Sequence, residues 1–513
     1  MGVDIVDITA KRAALTPNGI ALVDPIGGRK ITYAMLEQRA ARAASAFAAH
    51  GVAREDRVAI LCRNRIEFFE AMFACAKIGA ILVPLNWRAP AAELACLLDD
   101  CSPRLMLFGR EDKDCATRLR RAGLNTIALD SSDGYEALLA DSVAFQGERR
   151  WSGDAIWSLL YTSGTTGSPK AVIQTFQMAA INAFHTTQAF GIANNDHTLN
   201  FLPLFHTAGI HLLTMPTLMA GGVVSVLPHF DASQVLALMP TLDTFFAVPT
   251  IYQQLAQNDT FEATDLSHVR AWGCGGAPLP DALAERFSAR GARVCNGYGM
   301  TETGPTAFVA APEDALTKIG SVGKPQMFLD VRIVDDKGDD VAEGNVGEIW
   351  MRGAGLTPGY WRRPEETAHA FTSDGWLKSG DIGHRDADGC YYVAGRIKEM
   401  YISGGENVYP AEIENVLAHH PDIVEAAVIG VPDMRWGEVG CAFIVLRGDK
   451  SLDAVALTLF CRERIAAYKA PARFIAVSTL PRNATGKVQK QLLQPEALSR
   501  NRYSAAADAN RRH

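Results

Sequence analysis

The chain has 513 residues, more than one hydrophobic core usually supports, so two or more domains are expected. Hydrophobic residues make up 48% and charged residues 21%, which is typical of globular proteins and excludes a generally disordered chain. The formal net charge of −7 gives no electrostatic reason to expect nucleic acid or an anionic membrane as the main partner.

The cysteines and the N-terminus bear on the compartment. The 10 cysteines are irregularly spaced and form no CxxC pair, so the sequence predicts free thiols rather than disulfides or a zinc site. The first residues lack a signal-peptide pattern, and no apolar stretch is long enough to span a bilayer. We therefore predict a cytoplasmic protein without a membrane anchor.

In chain order, the predicted elements first alternate between strand and helix. Strands are predicted over 57–62, 81–85 and 104–108, and helices over 67–80 and 91–98. The alternation returns with strands over 199–204, 223–227, 245–248, 269–272 and 294–296, and with a helix over 281–290. This pattern indicates βαβ units and parallel sheets, and hence an α/β fold with two layers.

The pattern changes in the last third of the chain. Helical runs become scarce from about 331 to 395, where short strands lie between Asp/Gly turns, so a small β-rich subdomain is predicted there. An α+β unit follows, with a helix opened by Pro410 and strands over 424–431 and 441–446. We predict an N-terminal domain over 1–396 and a C-terminal domain over 397–513, with a frayed end over 499–513.

A glycine-rich loop, YTSGTTGSPK over 161–170, follows the apolar run 156–161. Glycines let backbone N–H groups approach phosphate oxygens, hydroxyls donate further hydrogen bonds, and lysine adds positive charge. The GxxxxGK[ST] spacing of a Walker A loop is absent. We predict a polyanion site, the alternative being a flexible surface turn. Its predicted ligands are Thr162, Ser163, Gly164, Thr165, Thr166, Gly167 and Lys170.

This loop resembles the phosphate-binding signature of the adenylate-forming superfamily, which contains acyl- and aryl-CoA synthetases, firefly-type luciferases and peptide-synthetase adenylation domains. Five further motifs resemble those of the superfamily and follow in its order, so the resemblance covers about residues 30–490. The chain looks most similar to aryl- or medium-chain acyl-CoA synthetases such as feruloyl-CoA synthetase. The resemblance implies a large α/β domain, a small mobile C-terminal domain, and the use of ATP, Mg²⁺ and coenzyme A.

The resemblance also implies a nucleotide site. Tyr298 offers an aromatic face to adenine, Thr301 a hydroxyl to the α-phosphate, and Glu302 a hard oxygen ligand for Mg²⁺. Asp381 and Arg396 resemble the pair that binds the ribose. An isolated residue of any of these types would more often be a turn or surface residue. The remaining implied nucleotide ligands are Gly276, Ala277, Pro278, Asn296, Gly297 and Gly299.

Two residues outside this site resemble catalytic groups of the superfamily. Lys487 ends the motif PRNATGK over 481–487 and resembles the lysine that reaches the adenylation site, although a lone lysine is usually solvated surface. His206 matches the histidine beside the substrate carboxylate, the alternative being a structural histidine. Lys398 stands where the superfamily has its interdomain hinge, about which the C-terminal domain is expected to swing between two half-reactions.

Two binding surfaces complete the prediction. An apolar pocket for the acid is expected to be lined by Phe205, His206, Ala208, Gly209, Phe246, Val248, Gly275, Gly299 and Met300. Coenzyme A is expected near Arg88, Gly404, Gly405, Trp436, Glu438, Lys469 and Arg473.

The implied reaction joins a carboxylic acid to AMP and then transfers the acyl group to coenzyme A. Three alternatives stay open: an amino-acid adenylation domain, a luciferase-like oxygenase, and a non-catalytic nucleotide or acyl sensor. The stretch around Phe205 offers no obvious acid for an ammonium group and no arginine for a second carboxylate. We therefore expect an aromatic acid of cinnamate or benzoate type or a medium-chain acid, acted on by a monomer or homodimer that inserts into no membrane.

Overall fold

A computed structural model describes residues 4–147, 150–162, 169–277, 279–404, 406–448, 450–482 and 487–493. Its strands, in chain order, are β1 (Asp4–Val6), β2 (Ile20–Val23), β3 (Lys30–Thr32), β4 (Arg57–Leu61), β5 (Ile81–Pro84), β6 (Leu105–Phe108), β7 (Asn125–Ala128), β8 (Arg150–Ser152), β9 (Ile156–Thr162), β10 (Lys170–Thr175), β11 (His197–Asn200), β12 (Val223–Val226), β13 (Thr244–Ala247), β14 (Ala271–Gly275), β15 (Val294–Met300), β16 (Gly304–Val309), β17 (Ser321–Pro325), β18 (Leu329–Val334), β19 (Gly347–Gly353), β20 (Leu377–Arg385), β21 (Tyr391–Arg396), β22 (Tyr401–Ser403), β23 (Glu406–Val408), β24 (Ile423–Asp433), β25 (Gly437–Leu446) and β26 (Arg473–Ala476).

The helices of the described residues alternate with these strands. They are α1 (Ile8–Leu15), α2 (Tyr33–Ala49), α3 (Ile66–Ile78), α4 (Ala91–Cys101), α5 (Lys113–Arg118), α6 (Tyr135–Asp141), α7 (Phe176–Phe190), α8 (Thr214–Ala220), α9 (Ala232–Leu238), α10 (Pro249–Gln257), α11 (Asp281–Ser288), α12 (Pro364–Ala370), α13 (Pro410–Ala418) and α14 (Ala454–Arg462). Short 3₁₀ helices lie at Arg110–Asp112, Met239–Thr241, Phe261–Ala263, Ile397–Glu399 and Lys490–Leu492, and a π-helical turn at Ala208–Leu212.

The chain forms two compact units. The first comprises Met1–Pro278, Arg286–Val331 and Met351–Leu377, and the second comprises Leu279–Glu285, Arg332–Trp350 and Lys378–His513. The hinge predicted at Lys398 lies inside the second unit, in the 3₁₀ helix Ile397–Glu399. The domain boundary predicted at residue 396 stays a prediction.

Two sheets in the first unit bear out the predicted α/β architecture. One has the strand order β10-β9-β5-β4-β6-β7, and β4 runs parallel to both β5 and β6. The other contains the order β17-β16-β15-β14-β13-β11-β12-β2-β3, and its strands β11 to β15 are parallel. Because the carboxyl ends of parallel strands meet at one edge of a sheet, this arrangement gathers the ends of β13, β14 and β15.

Local sequence explains how the helices between these strands begin and end. The Thr32 side chain accepts a hydrogen bond from the Met35 N–H and caps the start of α2. Gly79, with φ of 71°, ends α3 in the left-handed conformation that favours glycine. The faces of α2 and α3 bury Phe47 and Phe69 completely, in a core that also contains Trp157.

The second unit is built on the long antiparallel hairpin of β24 and β25, with β26 parallel to β25. Its strands alternate between two faces, as strand geometry requires. Val428 packs with Ile413 of α13 and Leu457 of α14 on one face. The neighbouring Ala427 packs with Leu480 on the other face.

Several predicted elements differ from the structure in position. The strand predicted over 199–204 ends at Asn200, because Pro203 lacks the N–H that a central strand needs. The strand predicted over 269–272 is Ala271–Gly275, and a helix over Pro364–Ala370 was not predicted. The frayed end predicted over 499–513 lies outside the described residues.

The sequence predicts free cysteines without disulfides, and no membrane-spanning segment. The 10 cysteines all lie in described parts of the chain, and none of them forms a disulfide. In the same parts of the chain, no helix combines the length and apolar character that a membrane span requires.

Candidate active site

The glycine-rich loop joins two antiparallel strands of the first unit. Thr162 ends β9 and pairs with Lys170 at the start of β10, and its hydroxyl donates to the Lys170 carbonyl oxygen at 3.4 Å. The apolar run 156–161 before the loop therefore forms a strand, β9. The loop residues Ser163, Gly164, Thr165, Thr166 and Gly167 lie outside the described residues, so their role stays a prediction.

Beside this loop, Tyr360 contacts two predicted site residues. Its hydroxyl donates to Oε1 of Glu302 at 2.9 Å, and the Lys170 ammonium lies 5.0 Å from the centre of its ring. Glu302 is buried, with 8% of its surface exposed. Burial, and secondarily the Glu302 charge, raise the pKa of Tyr360, so the phenol stays protonated and acts as the donor.

The surroundings of Glu302 fit a magnesium ion that is shared with a nucleotide. Among the described residues, no group of three or more His, Cys, Asp or Glu side chains is placed to hold a metal. Mg²⁺ is usually bound through one or two carboxylates plus substrate phosphates and water rather than through an all-protein cage. A single buried carboxylate near the phosphate loop meets that requirement.

The motif that contains Tyr298 forms part of a β-hairpin and does not follow a strand as predicted. Residues 297–300 continue β15 and pair antiparallel with β16, so that Tyr298 lies opposite Phe308 with ring centres 5.7 Å apart. A Cβ at Gly299 would lie 2.5 Å from the Gly304 carbonyl oxygen, so only glycine fits at this turn. Tyr298 as a residue is partly exposed in this hairpin, and its role toward adenine stays a prediction.

The backbone next to Glu302 accepts hydrogen bonds from β10 and from Thr357. The side-chain amide of Gln174 donates to the Thr301 carbonyl oxygen at 2.9 Å. The Thr357 N–H donates to the Glu302 carbonyl oxygen at 2.8 Å. Both contacts fix the backbone from which the Thr301 hydroxyl and the Glu302 carboxylate project.

The end of β14 connects this hairpin to the predicted acid pocket. Gly275 pairs with Gly297 in the parallel register of β14 and β15. A Cβ at Gly275 would lie 2.8 Å from Cζ of Phe246 and 3.0 Å from the Gly297 carbonyl oxygen, so the two backbones and the ring are in close contact. Gly276 follows with φ of 83°, and Ala277 is exposed. Pro278 lies outside the described residues.

A small apolar cavity borders Phe246. Of the nine predicted pocket residues, Ala208 and Phe246 line it directly. The full lining is Leu199, Asn200, Leu202, Ala208, Leu212, Leu213, Thr214 and Phe246. Val248 immediately precedes α10, and Met300 ends β15; both are partly exposed.

The polar side chains of this lining are satisfied internally. The Asn200 amide donates to the Gly209 carbonyl oxygen at 2.6 Å and to the Thr214 hydroxyl at 2.8 Å. Its oxygen accepts from the Asn64 amide at 2.9 Å. These bonds leave an apolar, uncharged surface, and they also hold the backbone of Gly209 in the segment that carries His206.

His206 lies in a turn just after β11. Its ring packs against the buried Phe205 with ring centres 4.7 Å apart. The backbone N–H of His206 donates to the Pro203 carbonyl oxygen at 3.1 Å. The residue as a whole is partly exposed, whereas Nε2 of its ring is buried. A role beside the substrate carboxylate stays a prediction.

The predicted ribose pair is formed within the second unit. Asp381 and Arg396 are directly opposite each other in β20 and β21, and Nε of Arg396 lies 3.1 Å from Oδ1 of Asp381. The carboxylate is buried, whereas half of the guanidinium side chain is exposed. Gly380, with φ of 71°, turns the chain so that Asp381 points inward.

Three of the predicted coenzyme A residues lie together in the second unit. The Gly404 N–H donates to the Trp436 carbonyl oxygen at 2.8 Å, and a Cβ at Gly404 would lie 2.8 Å from the Trp436 ring. The Glu438 carboxylate accepts from the Ile402 N–H at 3.0 Å. Gly405 lies outside the described residues.

The basic residues of the second unit are less closely grouped. The Lys469 ammonium lies 2.7 Å from the Glu412 carboxylate, so that a phosphate would compete with this ion pair. Arg473 is exposed at the start of β26, and Lys487 is exposed next to the undescribed residues 483–486. Their predicted roles toward coenzyme A and the adenylate stay predictions.

Arg88, in the first unit, lies in a stacked group of cationic and aromatic side chains. The guanidiniums of Arg63 and Arg88 lie 4.0 Å and 4.6 Å from the ring centre of Trp87. Desolvation, followed by the charge of Arg63, lowers the pKa of Arg88. Two neighbouring positive charges favour an anionic ligand, and the role of Arg88 toward coenzyme A phosphates stays a prediction.

Sequence reasoning missed Tyr360, Thr357 and Gln174. Gln174 contacts Thr301, 127 residues away along the chain, and Tyr360 contacts Glu302, 58 residues away. Thr357 contacts the backbone of the same Glu302. No local pattern reveals such pairing. The only signal was the turn-forming Pro358-Gly359 pair before an aromatic residue, which marks an irregular segment of the kind that often carries function.

The sequence matches the AMP-binding enzyme family over residues 9–361 and the AMP-binding enzyme C-terminal domain over residues 412–487. It is 38% identical over 485 residues to a feruloyl-CoA synthase from Amycolatopsis sp, covering 94% of this chain and 96% of that protein. It is 38% identical over 499 residues to an indoleacetate–CoA ligase from Aromatoleum aromaticum, covering 94% and 95%. The solved O-succinylbenzoate coenzyme A synthetase (MenE) from Bacillus subtilis, in complex with ATP and magnesium ion, is 34% identical with a TM-score of 0.86, covering 96% of this chain and 100% of that one.

Proposed function

This chain belongs to the AMP-binding enzyme family and is an AMP-forming acid–CoA ligase, and we propose that its acid is a monocarboxylic acid with an aromatic or other apolar tail. An aromatic acid of cinnamate or benzoate type is favoured over a medium-chain acid. The relatives named for feruloyl and indoleacetate substrates support this choice, since both names denote acids with a planar ring.

The uncharged wall of the cavity beside Phe246 is the observation that carries the proposal. Its polar groups are engaged by one another, and none of the described lining residues is charged. Burying an ammonium group or a second carboxylate there without a partner would cost several kcal/mol, about the full binding energy of a small acid. The cavity itself, about 10 Å³, has room for about one water molecule, so we propose that the acid widens it along the Phe246 wall, where the uncharged lining favours a neutral tail.

The ring of Phe246 makes one wall flat. Phe246 covers the backbone of Gly273 and Gly275 and packs edge-on against Phe190 with ring centres 6.3 Å apart. Flat aromatic and glycine surfaces suit a planar ring better than a flexible chain. Gly275 then directs the carboxylate end of the acid toward Gly297 and the Tyr298 hairpin, where we propose that ATP binds.

The first half-reaction is attack of the acid carboxylate on the α-phosphorus of ATP, which forms acyl-AMP and releases pyrophosphate. Both reactants are anionic, so the site has to neutralise charge and align them. We assign Lys170 and the loop to the β- and γ-phosphates, Thr301 to the α-phosphate, and His206 to orienting the carboxylate. Magnesium, when bound at Glu302, neutralises charge on the phosphates.

The second half-reaction transfers the acyl group to the thiol of coenzyme A and releases AMP. We assign Lys487 to the first half-reaction only, and Gly404 and Trp436 to the passage of pantetheine. A change of orientation about Lys398 between the two steps is part of the proposal. The cytoplasmic location and the monomer or homodimer state remain predictions from the sequence.

Pyrophosphate release, measured with and without coenzyme A, tests the proposal. The panel of acids contains benzoate, cinnamate, octanoate, succinate and phenylalanine, so that ring, chain, second carboxylate and ammonium are compared. We expect the highest kcat/KM for an aryl acid, and acyl-CoA formation only when coenzyme A is present. Phenylalanine or succinate as the best substrate would refute the uncharged pocket, and an acid that yields adenylate but no thioester would refute the coenzyme A step for that acid.

A further inference from the structure

Residues 357–361 form an additional edge along β10, the strand that leaves the phosphate loop. The Ile173 N–H donates to the Gly359 carbonyl oxygen at 3.1 Å, and the Trp361 N–H donates to the Ala171 carbonyl oxygen at 2.9 Å. Between these bonds, Tyr360 pairs antiparallel with Val172. The position of Tyr360 is therefore set by the backbone of the strand that begins with Lys170.

The same segment is bonded to Glu302 at two points. The Thr357 N–H donates to the Glu302 carbonyl oxygen at 2.8 Å, and the Tyr360 hydroxyl donates to Oε1 of Glu302 at 2.9 Å. The Thr357 hydroxyl donates to the Ile173 carbonyl oxygen at 2.7 Å, which ties this end of the segment back to β10. Glu302 and β10 are thus connected through one short piece of chain.

We propose that Tyr360 is a positioning residue for ATP and magnesium. Its hydroxyl orients the Glu302 carboxylate for the metal, and its ring holds the Lys170 ammonium for the phosphates. The inference rests on the proposed role of Glu302 as the metal ligand. It adds that one side chain aligns the metal ligand with the phosphate loop.

The two ends of the Tyr360 side chain make separable contributions. A donor that fixes one carboxylate oxygen leaves the other oriented toward the metal, and removing such a donor typically costs 10–100-fold in metal affinity. The ring face attracts the ammonium by about 0.5–2 kcal/mol, which corresponds to roughly 2–30-fold in phosphate binding. Only the first contribution depends on magnesium.

Tyr360→Phe and Tyr360→Leu separate these contributions. ATP affinity is measured by calorimetry without acid, at magnesium concentrations from zero (with EDTA) to saturation, so the readout needs no turnover. For Tyr360→Phe we expect unchanged metal-free ATP affinity and a 10–100-fold higher magnesium concentration for half-maximal enhancement. Tyr360→Leu should show the same magnesium shift and, in addition, weaker metal-free ATP binding.

Tyr161→Phe is the matched control. The Tyr161 hydroxyl also bonds to a carboxylate next to the same loop, donating to Asp100 at 2.7 Å, but it does not contact Glu302. We expect Tyr161→Phe to leave the half-maximal magnesium concentration within twofold of the wild type. An equal magnesium shift in Tyr161→Phe and Tyr360→Phe would show a general effect of loop packing and would overturn the inference.

Glu302→Gln separates failure of this inference from failure of the proposed metal site. Glu302→Gln should weaken the magnesium dependence by itself, and adding Tyr360→Phe should then change it less than twofold further, because the two residues act as a unit. A normal response in Tyr360→Phe together with a weakened response in Glu302→Gln would overturn the role of Tyr360 alone. A normal response in Glu302→Gln would overturn the metal site and the inference built on it.

Discussion

Truncation of Phe246 is the sharpest test of the acid pocket. The ring lines the cavity, covers Gly273 and Gly275, and packs against Phe190. Phe246→Ala replaces this wall with open space above the two glycines. A small aryl acid then loses contacts on one face, whereas a bulkier acid gains room.

The size of the effect follows from the burial of this ring. Full removal of a buried Phe side chain costs about 3–5 kcal/mol, and Phe246 is only half-buried, so the loss of stability should be at the lower end. The binding contribution to a small acid should be about 1–3 kcal/mol, which corresponds to a 10–200-fold loss in kcat/KM. The ratio of kcat/KM for a bulky acid to that for benzoate should therefore rise at least tenfold.

The assay compares kcat/KM for benzoate, cinnamate and a two-ring acid, by pyrophosphate release at saturating ATP and coenzyme A. Phe245→Leu is the matched control, because neighbouring strand residues point to opposite faces of the sheet. Phe245 is 1% exposed and packs against Tyr252 and Trp272, away from the cavity. The Phe245→Leu variant should have a lower melting temperature than the wild type and the same acid preference.

Two results would refute this reasoning. A Phe246→Ala enzyme that loses the same factor for every acid would show that the ring supports the active site without selecting the substrate. A change in preference of equal size in Phe245→Leu would show that the preference responds to general destabilisation. Either result would remove the structural basis for an aryl substrate.

Three further predictions address other parts of the chain. Lys487→Ala should slow adenylation about 10²–10³-fold in a pyrophosphate-release assay while thioester formation from supplied acyl-AMP changes less than about threefold; equal loss of both steps would contradict the proposed division of roles. Asp381→Asn should weaken ATP binding in calorimetry. It should leave the melting temperature within a degree or so, because an ion pair with a half-exposed guanidinium contributes about 0–1 kcal/mol. A large loss of stability with intact ATP binding would point to a structural role. Burial raises the pKa of Asp112 to about 6, although the charge of Arg63 opposes this rise. The native state therefore binds this proton more tightly than the unfolded state. The contribution of the protonated carboxyl to folding stability is complete below about pH 4 and is lost as the pH rises through 6. Asp112→Asn should therefore raise the melting temperature relative to the wild type at pH 8 but not at pH 4. The gain in unfolding free energy at pH 8 should be no more than about 3 kcal/mol. A difference that does not depend on pH would contradict the assignment.

The motifs were predictable because each is a continuous stretch with its own chemical requirement. The glycines and hydroxyls over 161–170 favour a polyanion loop, the resemblance to the superfamily motif indicates phosphate, and β9 precedes the loop as the apolar run 156–161 suggested. Pro410 opens α13 because proline needs no N–H at the first helical position. The alternation of strands and helices likewise led to the correct fold class.

Element ends were less predictable where tertiary pairing overrides local preference. The glycine-rich run over 297–300 reads as a loop, since glycine disfavours strands. It is a strand because β16 folds back onto it and the tight approach at Gly304 excludes any larger residue. Burial of the carboxyl end of β14 against Phe246 likewise extends that strand to Gly275, beyond its predicted end at 272.

By itself the sequence determined the α/β fold through the periodicity of its strands and helices, and its motifs resemble, in type and order, those of the adenylate-forming superfamily, a resemblance that implied the cofactors and the class of reaction. Only the tertiary structure decided that Tyr360 meets both Glu302 and Lys170 and that Asn200 satisfies the polar groups beside the cavity. Tyr360 lies 58 residues from Glu302 along the chain, and Asn200 accepts a hydrogen bond from Asn64, 136 residues away. They form only because strand register and packing bring those residues together, which no local pattern encodes.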